Sequence, residues 1–251
     1  MLGWRAASSL ARPGTGTGSP APSASSTLTR AASRTARPWP EPRARSWPPT
    51  SLPGCWPTAA SAGAAGLGNV EFVEAQAASL NFPSESFDAA LSRFGIIFEP
   101  EAEAAAARVR GFLVPGSRMV ISSWGPPGRV PFVAVPMGTA MRTLGVDPPP
   151  PGTPGPLSRP TPEALGGLLE GGGFSDVEVE ETEVSFKWES ADEFVAMVKD
   201  TSPPLVALIA KHAPDDPDRA WDAILGAVKE TASDDGTVTF SNLVLLAVGR
   251  A

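Results

Sequence analysis

The chain has 251 residues, of which 42% are hydrophobic and 19% are charged, and its formal net charge is -7. This length is enough for one α/β domain with a substantial core, or for a smaller domain with a disordered arm. The negative balance argues against nucleic acid and anionic membranes as partners, because both bind through concentrated positive charge. No apolar run approaches the roughly 18 residues that a membrane-spanning helix requires.

Cysteine and histidine each occur once. Cys55 has no second cysteine, which excludes an internal disulfide and a multi-cysteine metal site and suits a reducing compartment. A Ser-His-Asp triad would have to use His212 as its base. That residue ends an apolar helical stretch ahead of Pro214, so we interpret it as an exposed residue at a helix end. The sequence therefore predicts neither a catalytic triad nor a metal site.

The composition changes sharply near Gly68. Before it there is no Asp, Lys, Phe or Ile, a single acid at Glu41, and seven Arg among Pro, Ser, Thr, Ala and Gly. Such a segment buries too little apolar surface to offset the entropy of ordering it. We therefore predict a disordered, low-complexity arm over residues 1–66 and an α/β domain over residues 67–251.

The first half of that domain alternates strands with a helix. Asn69–Glu74 and Phe87–Phe94 are predicted as strands, and the Ala-rich stretch Glu101–Val114 as a helix closed by Pro115 and Gly116. The mostly apolar run Arg118–Trp124 is typical of a strand buried on both faces. This rhythm predicts a parallel sheet.

The second half adds a helical insert and closing strands. Thr161 is predicted to cap a helix that ends at the glycines 171–173, and a long alternating strand follows. The predicted elements are the insert Phe132–Leu144, the loop Pro148–Pro156, the strand Phe174–Trp188, the helices Ala191–Lys199, Leu205–His212 and Arg219–Thr231, and a strand or hairpin over Thr237–Gly249. Parallel strands finished by antiparallel strands form the predicted architecture.

Four short motifs in this domain carry a resemblance to a known family. They are Gly68–Glu74 (GNVEFVE), Leu80–Ala89 (LNFPSESFDA), Ser92–Gly95 (SRFG) and Leu113–Arg118 (LVPGSR). In this order and spacing they resemble the class I S-adenosylmethionine-dependent methyltransferases of the ubiquinone and menaquinone biosynthesis type. The resemblance implies a partial Rossmann-like sheet, S-adenosylmethionine as co-substrate and a small-molecule acceptor. It further implies a cytoplasmic monomer or homodimer.

The resemblance also assigns residues to the two ligands. It places Glu74, Ala75, Gln76 and Ala77 along the adenine of the donor, and Ser92, Arg93 and Phe94 at a strand end beside the donor and the acceptor. Arg93, Gly95 and Trp124 would face the acceptor. Each assignment has a plainer alternative: a surface turn at residues 74–77, core packing for Phe94 and Trp124, and a structural salt bridge for Arg93.

The insert and the chemistry complete this interpretation. The helix with Met137 and Met141 would form a lid, although a methionine stripe is more often part of a core. Methyl transfer is an in-line displacement in which the enzyme mainly positions its substrates and excludes water. The absence of an acid-base pair is therefore compatible with this chemistry.

The family pattern breaks upstream of Gly68. The family has an apolar first strand, a glycine turn beneath the donor, and an acid that binds the ribose. Gly14–Gly18 (GTGTG) matches the glycine pattern, but no apolar strand precedes it. Three explanations remain open for residues 1–66: a mitochondrial transit peptide, a genuine disordered arm, or translation out of frame.

The genetic code favours the frame explanation. When the codons of Pro49–Pro57 are regrouped by one base, two of the new residues are forced to be Leu and Ala. The other codons permit Asp-Ile-Ser-Pro-Gly-Met, which resembles the family's ribose-binding acid and the helix after it. Two hypotheses follow: a methyltransferase whose activity is impaired in the chain as written, and an inactive methyltransferase-like binding protein.

Overall fold

The computed structural model describes residues 25–29, 44–47, 70–72 and 77–251. Within these residues, seven strands form one sheet, and there are six α-helices, of which the last two pack mainly on other helices. The strands are β1 (Ser25–Thr29), β2 (Ala44–Trp47), β3 (Val70–Phe72), β4 (Phe87–Arg93), β5 (Leu113–Trp124), β6 (Ser175–Trp188) and β7 (Val238–Arg250). The helices are α1 (Ala102–Gly111), α2 (Pro131–Leu144), α3 (Pro162–Gly171), α4 (Ala191–Thr201), α5 (Pro203–His212) and α6 (Asp218–Lys229).

The sheet confirms the predicted mixture of strand directions. Its order is β3-β2-β1-β4-β5-β7-β6. Strands β4 and β5 are parallel, and β7 is antiparallel to both β5 and β6. Because β7 lies between β5 and β6, these two strands point the same way. Because β4 and β5 are parallel neighbours, their carboxyl ends lie at the same edge of the sheet, where open α/β sheets place their ligands.

Alternation along the strands divides the core between the two faces of the sheet, and the buried apolar residues form three clusters. Met119 and Ile121 of β5 face α1 and α3, whose Ala106 and Leu168 are fully buried against the sheet. Trp124 faces the other way. On that side α2, α4, α5 and α6 form a second cluster around Phe194 at the carboxyl end of β5.

The region between α1 and β5 differs from the prediction. We expected the helix to continue to Val114, but it ends at Gly111 and β5 begins at Leu113. The pairing register between β4 and β5 shifts between the pair Phe87 and Leu113 and the pair Ala89 and Arg118, so the residues around Gly116 form a bulge in β5. Gly116 has a φ of 81° and its N–H donates to the carbonyl of Ala251, which satisfies the backbone there.

The segment before β3 includes two strands that the composition did not predict. β1 is antiparallel to β2 and to β4, while β2 and β3 are parallel. The glycines 14–18 and most of residues 1–66 lie outside the described residues, so the disordered arm stays a prediction. In the part of the chain that is described, none of the helices has the length and apolar character of a membrane span.

Candidate functional site

Two serine hydroxyls shape the turn that follows β4. The hydroxyl of Ser122 accepts from the N–H of Phe94 at 3.0 Å, and the hydroxyl of Ser92 accepts from the N–H of Ile96 at 2.9 Å. Phe94 has a φ of 55°, a left-handed conformation that is costly for a residue with a side chain. The two hydrogen bonds hold this strained turn at the carboxyl end of the strand, and such strain clusters at functional sites.

An apolar cavity of about 330 Å³ opens beside this turn. Five aromatic residues line it: Phe94, Phe98, Trp124, Phe132 and Phe186. The rings of Phe94 and Trp124 are stacked, with centroids 4.4 Å apart and planes at 17°. Phe132 lies 5.7 Å from Trp124 and 5.5 Å from Phe186, measured between ring centroids. Phe94, Trp124, Phe132 and Phe186 thus form one continuous aromatic wall.

Three helices close the rest of the cavity. α2 contributes Val133, Pro136 and Met137, α4 contributes Val198, and α5 contributes Leu205. The predicted insert therefore covers the site. Met137 also packs against the second core cluster, so it has both the roles that the sequence left open.

A buried amide fixes the start of α2. Asn242 of β7 is 0% exposed, and its Oδ1 accepts from the N–H of Phe132 at 2.9 Å. Its Nδ2 donates to the carbonyls of Phe240 at 2.9 Å and Val184 at 3.4 Å. These bonds tie three elements together and set the position of Phe132 in the wall.

Hydrogen bonds hold the end of the proline-rich loop against the turn that follows β4. The hydroxyl of Ser158 donates to the carbonyl of Ile97 at 2.9 Å, and the N–H of Gly155 donates to that carbonyl at 3.3 Å. Pro156 between them lines the cavity. The loop therefore contributes to the wall of the site.

Few polar groups reach the cavity. Its described lining includes Arg93, Thr201 and Ser202 and contains no Asp, Glu or His. The hydroxyl of Thr201 donates to the carbonyl of Met197 at 2.7 Å. An arrangement of this kind can bind and orient a small molecule, but its lining offers no carboxylate or imidazole for acid-base work.

The structure brings some of the predicted site residues together and separates others. Arg93, Phe94 and Trp124 line the cavity, whereas Ala77, Ser92 and Gly95 do not. The N–H of Ala77 donates to Oε1 of Glu99 at 3.1 Å, and the hydroxyl of Ser92 orders the turn. Glu74, Ala75 and Gln76 lie outside the described residues.

Sequence reasoning missed several lining residues. Phe98 lies in a short 3-10 turn, Ile96–Phe98, for which the sequence offered no separate signal. Phe186 and Trp188 alternate in β6 and could have been recognised as one aromatic face. Leu205 at the start of α5 was predicted as helix, but nothing local to it indicated a cavity.

The parallel strands and the cavity at their carboxyl ends have the arrangement in which α/β folds bind small ligands. Residues 53–121 match the family model described as a methyltransferase domain. This match confirms the resemblance to the class I methyltransferases over that part of the chain. It starts before the boundary that we placed at residue 67, and it overlaps the regrouped codons at residues 53–57.

Several solved structures are similar to this chain at low identity. The YcgJ protein from Bacillus subtilis is 16% identical with a TM-score of 0.45, and the match covers 76% of this chain and 75% of that one. A putative type II methyltransferase from Anaeromyxobacter dehalogenans is 18% identical with a TM-score of 0.46, covering 73% and 72%. A phosphoethanolamine N-methyltransferase of Haemonchus contortus, in complex with S-adenosyl-L-methionine, is 17% identical with a TM-score of 0.36, covering 72% and 37%. No curated protein gave a significant match.

Proposed function

We propose that this chain derives from an S-adenosylmethionine-dependent methyltransferase that acts on a small organic acceptor, and that the chain as written is impaired. The observation that carries the proposal is the aromatic cavity at the carboxyl ends of β4 and β5, because its lining residues Arg93, Phe94 and Phe98 lie within the segment that matches the methyltransferase domain. In this proposal the cavity holds the acceptor.

The described residues fit the acceptor side of such a site. Phe94 and Trp124 face the cavity, and the residues that the resemblance assigns to the adenine edge lie outside the described part, apart from Ala77. When bound, S-adenosylmethionine would supply an electrophilic methyl group on a sulfonium centre. We assign no other step to it.

The work of this chain's own residues is positioning. The aromatic wall would orient the acceptor, and α2 with the loop at Pro156 would exclude water from it. Holding two reactants in a near-attack geometry lowers the barrier without an acid or a base. This explanation is consistent with a lining that holds no carboxylate or histidine among its described residues.

The alternative function is an inactive, methyltransferase-like binding protein. It would use the same cavity without a donor, and the break in the family pattern upstream of Gly68 favours it over the intact enzyme. The two proposals differ in the affinity for S-adenosylmethionine that they predict for a version with a repaired upstream frame.

Calorimetric titration with S-adenosylmethionine separates the proposals. We expect no appreciable binding by the chain as written and micromolar binding by a version whose upstream frame is shifted by one base. The missing ribose-binding carboxylate alone is worth about 1.5–3 kcal/mol as charged hydrogen bonds, which is roughly ten- to hundredfold in affinity. The family match begins at residue 53 in the frame as written, whereas the regrouped codons extend to residue 57. Two repaired versions are therefore needed. In one the shifted frame ends before residue 53, and in the other it ends after residue 57.

The outcomes are distinct. Micromolar binding by the chain as written would contradict the impairment and show that a donor site exists among its residues. Failure of both repaired versions, with folding verified by circular dichroism, would contradict the methyltransferase proposal and support the binding protein.

Arg93 provides a second test in a repaired version that binds the donor. We propose that its guanidinium pairs with an anionic group of the acceptor. Arg93→Ala should then weaken acceptor binding at least tenfold and leave donor binding within about twofold, a tenfold change being about 1.4 kcal/mol. Equal loss of both affinities in calorimetry would assign Arg93 a structural role.

A further inference from the structure

One face of the sheet carries exposed apolar side chains away from the cavity. Val120 of β5 is paired with Leu91 of β4 and with Val248 of β7, so these three side chains stand side by side on the same face. Leu91 is 41% exposed, and Val120 and Val248 are partly buried. None of the three belongs to a core cluster of the described residues. We call Leu91, Val120 and Val248 the apolar stripe.

The apolar stripe lies on the face opposite the one that α1 and α3 cover. Met119 and Ile121, on either side of Val120, are buried in the cluster that includes those two helices. A strand with such an apolar sequence is normally covered on both faces. An exposed apolar patch with polar residues around it marks an interaction surface. We therefore expect another molecule to cover the apolar stripe.

Unpaired charges of both signs lie beside the apolar stripe. Arg118 is two residues before Val120 in β5. Glu178 and Glu180 lie in the edge strand β6, where Glu178 is paired with Val248. Alternation along each strand places the three charged side chains on the face of the apolar stripe. Among the residues that the structure describes, none of these three side chains forms an ion pair.

The order of the strands keeps these charges apart within one chain. Strand β7 lies between β5 and β6, so Arg118 is two strand spacings, about 10 Å, from the strand that carries Glu178 and Glu180. We propose that a second copy of this chain covers the apolar stripe, with Arg118 of each copy paired to Glu178 or Glu180 of the other. A twofold axis brings the same surface of both copies together. That surface is self-complementary, because β5 carries the positive group and β6 carries the negative groups.

Charge favours a second copy over other partners. Nucleic acid and anionic membranes bind through concentrated positive charge, which Glu178 and Glu180 oppose. A uniformly basic partner would meet the unpaired Arg118 within the contact, and like charges there are unfavourable. A second copy offers opposite charge to both kinds of group and covers its own apolar stripe in the same contact.

The size of this face sets the expected strength of the dimer. Four strands, from β4 to β6, form it, and they span roughly 15–20 Å at the usual spacing. An interface of this width belongs to the small class, whose complexes are weak or transient. The dimer should therefore form at micromolar concentrations and dissociate on dilution.

Sedimentation velocity of the full chain over a series of concentrations tests the proposal. We expect a reversible equilibrium between monomer and dimer. Leu91→Lys places a charge in the apolar stripe and should raise the dissociation constant of the dimer at least tenfold. Val206→Lys makes a similar change at an exposed residue of α5 and should alter the constant less than twofold. A chain that stays monomeric at every concentration, or a dimer that a folded Leu91→Lys protein retains, would overturn the proposal.

Charge reversal in two separate proteins tests the pairing between copies. One protein carries Arg118→Glu, and the other carries Glu178→Arg with Glu180→Arg. Each alone should dimerise at least tenfold more weakly than the unchanged chain, because like charges then meet. A mixture of the two should recover the original affinity within about threefold, since every arginine of one protein then faces a glutamate of the other.

The control for the reversal is Arg110→Glu, which makes the same change of charge on α1, at the opposite face of the sheet. It should change the dissociation constant less than twofold. Circular dichroism verifies the fold of each variant, and a fluorescent label on one protein of the mixture identifies the mixed dimer. Failure of the folded mixture to associate would overturn the proposal. Because no donor or acceptor is added, these results do not depend on the function proposed above.

Discussion

At the residue scale, the site depends on side chains that hold the backbone in place. Asn242 is the clearest case. Its Oδ1 accepts from the N–H of Phe132 in the first turn of α2, and its Nδ2 donates to the carbonyls of Val184 in β6 and Phe240 in β7. A buried polar group of this kind is costly to leave without partners. Its sequence context, an amide inside an apolar strand, gave no indication of this role.

Replacement of Asn242 should destabilise the fold. Asn242→Leu leaves the N–H of Phe132 without its acceptor, which we expect to lower the free energy of unfolding by about 1–3 kcal/mol. Ser241→Ala, at the exposed neighbouring position, should change it by less than about 0.5 kcal/mol. Urea unfolding measures both variants, and equal effects would contradict the role of the amide.

At the left-handed turn of Phe94 we expect a glycine substitution to be less destabilising than an alanine substitution, which is the reverse of the usual order. Both Phe94→Ala and Phe94→Gly lose the ring that stacks on Trp124, but glycine adopts a φ of 55° without a steric cost. The glycine variant should therefore be more stable than the alanine variant by about 1 kcal/mol.

A matched pair within β4 is the control for that prediction. At Leu91, in regular strand, the order should reverse, with glycine less stable than alanine by about 0.5–1 kcal/mol. Thermal unfolding compares the four variants. If alanine is the more stable replacement at both positions, the turn is not strained.

At the scale of elements, helix α3 packs closely on α1 because two glycines end it. A Cβ at Gly172 would lie 2.7 Å from Cβ of Ala106, and one at Gly171 would lie 2.9 Å from Cγ of Glu103. Thr161 caps the other end, since its hydroxyl accepts from the N–H of Ala164. The sequence predicted the cap and the glycine end, and the structure confirms both.

Alanine substitutions at two glycines of this region should have opposite effects. Gly172→Ala pushes α3 away from α1 and should cost about 1–3 kcal/mol through overpacking. Gly167→Ala lies in the middle of the same helix with no atom within 4 Å of the new Cβ, so it should stabilise by about 0.5–1 kcal/mol. Denaturant unfolding distinguishes them, and a stable Gly172→Ala protein would contradict the close packing.

At the scale of the whole molecule, the main division is the change in amino-acid composition near Gly68. The seven arginines before Gly68 all lie at or before residue 45, in the segment predicted to be a disordered arm. The acidic remainder contains the three core clusters that the structure describes. The two parts should therefore differ in resistance to proteolysis.

Limited digestion with trypsin tests that difference. We expect the first cuts at arginines that precede β2, up to Arg43, and a persistent fragment that begins after the last of these cuts, because a segment with little buried apolar surface opens easily. The same digestion in urea is the control, since every Lys and Arg that does not precede proline should then be cut. Early cleavage at lysines of α4 or α6, with the arginine-rich segment intact, would contradict the predicted arm.

The sequence alone determined most elements from Phe87 to Arg250. Alternation marked β6, a mostly apolar run marked β5, and Thr161 and the glycines 171–173 marked the ends of α3. These signals are local, because the secondary structure that they indicate depends on residues only a few positions apart in the sequence. The bulge around Gly116 was missed because its register depends on β4 and on the terminal Ala251.

Only the tertiary structure decided which residues surround the cavity. The sequence proposed Arg93, Phe94 and Trp124 from the strand ends, since parallel strands end at a common edge. Phe98, Phe186 and Leu205 come from three distant segments and meet only when α2, α4 and α5 fold over that edge. Such a wall forms by side-chain packing across the sheet, and no spacing along the chain encodes it.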